Sequence, residues 1–196
     1  ESLECFENSL KLNKNDTDAL YNKGVALLQL GRSEEAIRCY NRILAIDPGN
    51  DNAWINMGDV LEFMGRHNEA IDSYEQAVTL EPTSGMILVR MADIYSEQGK
   101  QEKALDQYME ATDANPASGQ VWTALGNEYL RRGNEEEARE SFEQAVRVEP
   151  NYVQAYIQQG DLLSVQGEWD EAASFYKQAI EADASDPAGY MRLGAL

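Results

Sequence analysis

Apolar side chains recur along this chain at intervals of three and four, in stretches of helical length set apart by glycine or proline. Residues 119–152 show the pattern most fully. Trp122, Leu125, Gly126 and Tyr129 define one face of a first stretch, and Ala138, Phe142 and Ala145 one face of a second. Such spacing places side chains on a single stripe of an α-helix. Gly133 stands between the stretches, where a helix ends and only glycine enters the left-handed region without cost. Pro150 follows the second, and proline cannot continue a helix because it lacks a donor and clashes with the preceding turn. The pattern therefore predicts a helix A, a glycine turn, a helix B and a proline stop.

The same columns return every 34 residues. Five rows result, 17–50, 51–84, 85–118, 119–152 and 153–186, here called repeats 1 to 5. Place fifteen is always glycine: Gly31, Gly65, Gly99, Gly133 and Gly167. Place twenty is always alanine, and place twenty-four holds Tyr40, Tyr74, Tyr108, Phe142 and Tyr176. Place eight is Gly24, Gly58, Gly126 and Gly160, with Ala92 in repeat 3. Small residues at eight and twenty allow two antiparallel helices to approach closely, with the ring at twenty-four covering the join.

These columns resemble the tetratricopeptide repeat, which has an aromatic or leucine at four, leucine at seven, glycine at eight, aromatic at eleven, alanine at twenty, aromatic at twenty-four, alanine at twenty-seven and proline at thirty-two. Departures are few. Lys23 and Gln159 occupy place seven, Ile43 place twenty-seven, and Ala184 stands where the last proline would be. The resemblance implies an all-α fold, a right-handed α-solenoid (superhelix) of antiparallel helix A/helix B pairs forming one continuous domain. Residues 1–16 then read as helix B of a preceding repeat, with Phe6 at the ring place, and 187–196 as the start of a further helix A. On that reading the chain is a piece of a longer array.

Helix A carries its core residues at four, seven, eight and eleven, so its opposite stripe holds two, five, nine, twelve and thirteen, with six at the border. In the family this stripe resembles the inner, concave wall where peptides bind. The residues read as peptide-binding are Tyr21, Asn22, Ile55, Asn56, Asp59, Phe63, Val89, Arg90, Asp93, Asn127, Gln158 and Asp161. Asp59, Asp93, Asn127 and Asp161 form a ladder at place nine. Carboxylates and amides at regular intervals can bond the main chain of an extended peptide or pair with its lysines and arginines. Packing of the helix pair assigns no role to Asp59, which makes it the first candidate for partner contact. The carboxylate-tail clamp of chaperone-binding relatives is matched only at Asn56 and Arg90, and Tyr21, Val25 and Met86 hold its other places. Tail binding is not expected.

Composition narrows the chemistry. Thirty-five acidic and 16 basic residues give a net charge of −19, which repels nucleic acid and anionic membranes and favours a cationic or neutral protein segment as partner. The same acidity would also suit a saline environment, in which case it says nothing of partners. Asp59 and Glu62 lie one helical turn apart, with Asp93 expected nearby, a set that reads as a solvated acidic face rather than a cation site. His67 has no thiol or second histidine as partner and reads as a turn-proximal packing or surface residue. No Ser/His/Asp set, CxxC pair or phosphate loop is present, so no enzyme activity, metal or cofactor is expected. Cys5 and Cys39 fall one repeat apart, beyond disulfide reach, and read as reduced thiols of an intracellular, cytoplasmic protein. The function these readings imply is a protein–protein interaction scaffold. The alternatives are head-to-tail self-assembly through Leu3, Phe6 and Leu10 at one end and Tyr190 and Leu193 at the other, or the recruiting arm of a larger enzyme.

Overall fold

The computed structural model describes residues 2–196, which form helices and no strands. They group into two compact units, one running to Thr83 and the other from Ser84 to Leu196. The first unit contains α1 (Ser2–Leu12), α2 (Thr17–Gln29), α3 (Ser33–Ile46), α4 (Asp51–Phe63) and α5 (His67–Leu80), each packed on the next. The second contains α6 (Gly85–Glu97), α7 (Gln101–Ala114), α8 (Gly119–Arg131), α9 (Glu135–Val148), α10 (Val153–Gln166), α11 (Trp169–Ala182) and α12 (Pro187–Ala195). There too each helix packs on its successor, and α6, α8, α10 and α12 also touch in series. Even-numbered helices are the predicted A helices and odd-numbered ones the B helices.

The turn glycines behave as the pattern requires. Gly31, Gly65, Gly99, Gly133 and Gly167 have φ of 71°, 72°, 71°, 78° and 83°, the region that a side chain disfavours. The residue after each closes a six-residue turn: Arg32 N–H donates to the Leu27 carbonyl at 2.9 Å and Glu168 N–H to that of Leu163 at 2.9 Å. The starts of α2, α4, α8 and α12 are capped by side chains: Asp16, for example, accepts from Ala19 N–H at 3.0 Å and Asn50 from Ala53 N–H at 2.9 Å.

Helix B ends two residues before place thirty-two in every repeat, including the one without proline. After α11 the turn is made instead by Asp183, whose carboxylate accepts from Ser185 N–H at 2.8 Å and Ser185 Oγ at 2.7 Å, bonds that hold its pKa below the usual aspartate value. Asp47 makes the same bond to Gly49 N–H at 3.0 Å beside Pro48, so the aspartate turn forms with or without proline.

The core follows the columns. Alanines at place twenty are fully buried, and so are Tyr40, Tyr74, Tyr108 and Phe142, with Tyr176 at 2% exposure. In repeats 1, 2, 4 and 5 the ring lies against the glycine at place eight. A Cβ on Gly58 would fall 2.5 Å from the Tyr74 ring, on Gly126 2.4 Å from Phe142, and on Gly160 2.4 Å from Tyr176. The ring itself, rather than a neighbouring backbone, fills the space a side chain would need. Place four adds an anchor: Trp54 Nε1 donates to the Pro48 carbonyl at 3.1 Å, Trp122 Nε1 to Pro116 at 2.9 Å, and the Tyr156 hydroxyl to Pro150 at 3.1 Å. An aromatic with a polar edge can pack its ring and still tie down the preceding turn.

Candidate peptide-binding face

In the first unit the stripe of helix A runs along α2 and α4. Asn56 Nδ2 donates to the Asn52 carbonyl at 2.7 Å and to the Tyr21 hydroxyl at 3.3 Å, so these two predicted residues meet. Asn22 Nδ2 turns back to the Asp18 carbonyl at 2.9 Å. Ile55 is half-buried, and Phe63 is 85% exposed.

Asp59 has a packing role that the sequence reading missed. The Tyr74 hydroxyl lies 2.7 Å from its carboxylate and 2.6 Å from that of Glu62, and its single proton serves one of them at a time. Burial first, and then the two carboxylates, push the Tyr74 hydroxyl far above its usual pKa.

The second unit repeats this link. Tyr108 donates to Asp93, and Tyr176 to Asp161 at 2.8 Å. Burial and the Asp161 carboxylate raise the Tyr176 hydroxyl to about 12. Basic side chains complete both sites. Arg131 donates to the Tyr108 hydroxyl at 3.0 Å and to Ser96 Oγ at 2.6 Å, and Arg192 of α12 pairs with Asp161 at 2.9 Å. Asn127 and Gln158 are half-buried, and Arg90 is exposed.

Val89 departs from the expectation, being only 5% exposed. Thr123 and Ile157 stand at the same place five, at 3% and 2%. In this unit α8 touches both α6 and α10, so place five belongs to the seam between successive A helices and leaves no surface for a ligand.

The place-nine residue tracks the ring at place twenty-four. Aspartate occurs with tyrosine in repeats 2, 3 and 5, and asparagine with phenylalanine in repeat 4. In repeat 1, where Val25 occupies place nine, the buried Tyr40 hydroxyl has no hydrogen-bond partner among the described residues. That co-occurrence was readable in the sequence. A second missed residue is Glu128, 2% exposed at place ten, where the other repeats have Ala26, Val60, Ile94 and Leu162. Arg131 at 2.9 Å and Arg132 at 3.2 Å neutralise it. No group of three His, Cys, Asp or Glu among the described residues is arranged to hold a metal ion. His67 opens α5, half-buried. No helix among the described residues is long and apolar enough to cross a membrane.

Comparison with known proteins agrees with the columns. One family model described as tetratricopeptide repeat matches residues 16–82 and again 51–117, and a second of the same description matches 123–187. The chain belongs to the tetratricopeptide repeat family, whose all-α helix-pair repeats serve in general as scaffolds for protein–protein interaction. No curated protein matches the sequence. Among solved structures, a MamA crystal structure is similar with 26% identity and a TM-score of 0.66, over 82% of this chain and 94% of that one. PilF of Pseudomonas aeruginosa aligns with 23% identity and a TM-score of 0.70, over 90% and 80%. YrrB, described as a TPR protein with an unusual peptide-binding site, aligns with 19% identity and a TM-score of 0.62, over 96% and 97%.

Proposed function

We propose that the helix-A stripe binds part of another protein, an extended or helical segment that is cationic or neutral. The observation that carries this reading is the exposure of Phe63 at 85% and Val165 at 86%, both at place thirteen, on a stripe otherwise rich in groups that form hydrogen bonds. Apolar anchors beside regularly spaced amides and carboxylates suit main-chain recognition with a few side-chain pockets. YrrB lends support as a neighbour in fold only. Asp59, Asp93 and Asp161 would pair with basic side chains of the partner while still holding their tyrosines, Asp161 in exchange for Arg192, which bonds its second oxygen at 3.2 Å. Val89 has no part in the contact. The reading assigns the chain no catalysis and an intracellular site, for which the free thiols Cys5 and Cys39 are the support.

A peptide array probed with the purified chain tests it. Binding of basic and neutral peptides is expected, and binding confined to acidic peptides opposes the reading. The variant Asp59→Asn/Asp93→Asn/Asp161→Asn keeps an oxygen acceptor for each tyrosine, so helix content should persist while preference for basic peptides falls. An unchanged preference would reduce the ladder to structural bonds alone.

A further inference from the structure

Repeats 2 and 4 each open a groove on the helix-B side, built from the same places and sharing no residue with the stripe. In the first unit the groove holds about 420 Å³ between α3, α4 and α5, with Trp54 and Met57 as floor, Ser73 as wall, and Glu69 and Asp72 on the rim. In the second unit about 330 Å³ opens between α7, α8 and α9, with Trp122 and Leu125 as floor, Ser141 as wall, and Asp113, Glu137 and Glu140 on the rim. The serine makes the space. Its hydroxyl turns back to its own helix, Ser73 Oγ donating to the Glu69 carbonyl at 2.9 Å and Ser141 Oγ to that of Glu137 at 2.8 Å, which leaves a small, smooth wall. Repeat 5 has Tyr156 and Phe175 at the equivalent places, both packed against the core around Ile157 and Tyr176.

Each tryptophan is held by its indole N–H on a proline carbonyl, so the ring keeps its orientation along the groove floor. Carboxylates rim both grooves. No cation lines the second, and in the first Arg66 is already taken up by Glu69 at 2.7 Å and Glu34 at 3.6 Å. A fixed indole under a carboxylate rim matches a long side chain with an apolar stem and a cationic end. We propose that the Trp122 and Trp54 grooves are docking sites for arginine or lysine side chains of a basic segment of a partner protein, on a face of the repeats different from the helix-A stripe. The Trp122 groove binds more tightly, because its rim carries three carboxylates and no basic side chain.

The three tryptophans make the test direct. Trp169 is 56% exposed, opens α11 and lines neither groove, so it is an internal control. The ¹⁵N-labelled full chain is titrated with an end-blocked peptide alternating arginine and glycine, and the indole N–H signals are followed, with the glutamate–glycine peptide as comparison. The Trp122 and Trp54 signals should move and the Trp169 signal should not. Glu137→Gln/Glu140→Gln, at exposed positions, should weaken the Trp122 response roughly tenfold and leave that of Trp54 unchanged. Trp122→Leu, which keeps all charges, should weaken it by at least as much. Three results would overturn the proposal: no movement of either groove signal, movement confined to helix-A stripe resonances, or equal movement of all three indoles that ~0.15 M salt abolishes, the mark of diffuse attraction to an acidic chain.

Discussion

The Tyr176 hydroxyl donates to the Asp161 carboxylate at 2.8 Å across fifteen residues, joining the residue that seals the helix pair to one that faces outward from helix A. Tyr74 with Asp59 and Tyr108 with Asp93 repeat the link. A residue read as surface chemistry is therefore also the polar end of the core, and substitutions can separate the two roles.

Tyr40 and Tyr176 should respond oppositely to loss of the hydroxyl. Tyr40→Phe removes a buried oxygen with no hydrogen-bond partner among the described residues and should be neutral or stabilising by up to about 1 kcal/mol. Tyr176→Phe removes a donor from Asp161 and should cost about 1–2 kcal/mol. Urea unfolding of the two variants beside the parent measures both. Equal losses would show that Tyr40 has a partner in solution.

Gly126→Leu should cost about 1–3 kcal/mol, because the Phe142 ring already occupies the position a Cβ would take. Gly24→Leu should cost less, the Tyr40 ring being 3.0 Å from the corresponding Cβ. Thermal melts followed by circular dichroism rank the pair.

Alkaline unfolding should be governed by the place-twenty-four tyrosines. Tyr40 and Tyr176 are each raised to about 12, chiefly by burial, and Tyr74 and Tyr108 move in the same direction. A folded pKa above the unfolded value of about 10 means that their contribution is fully present below pH ~10 and is lost as pH rises toward about 12. Tyrosinate absorbance at about 295 nm should rise in two phases, the later one coinciding with loss of helix. Full ionisation before any unfolding would contradict the buried hydroxyls.

Glu128 lies among apolar core positions and needs its arginines. Arg132→Met should destabilise by about 1–3 kcal/mol, since it removes a partner from a buried carboxylate. Adding Glu128→Leu should restore most of that stability, because a leucine there matches Leu162 in the next repeat. Additive losses in the double-mutant cycle would argue that the pair does not interact.

Helix limits, glycine turns and core columns were legible because they depend on near-neighbour rules repeated five times: a period of 3.6, a left-handed glycine, a helix stop. The stop in repeat 5 was less so, since proline is missing there and the turn carries only the aspartate bond that repeat 1 makes beside its proline. Contact partners across the helix pair were harder to read. Place five looked like open stripe on a single helical wheel, yet Val89 is buried, because a wheel shows one helix and omits the next A helix beside it.

The sequence by itself determined the family, the helix-pair repeat and the identity of the rings and alanines that fill each pair, since backbone geometry and local packing prescribe those residue types wherever they recur. Only the tertiary structure decided which polar residues are committed inward. Asp59, Asp93 and Asp161 face outward by helical spacing but are claimed by tyrosine hydroxyls from the partner helix, a contact set by how deeply one helix settles against another; the linear pattern carries only its trace, an aspartate at place nine in repeats 2, 3 and 5, where the ring is tyrosine.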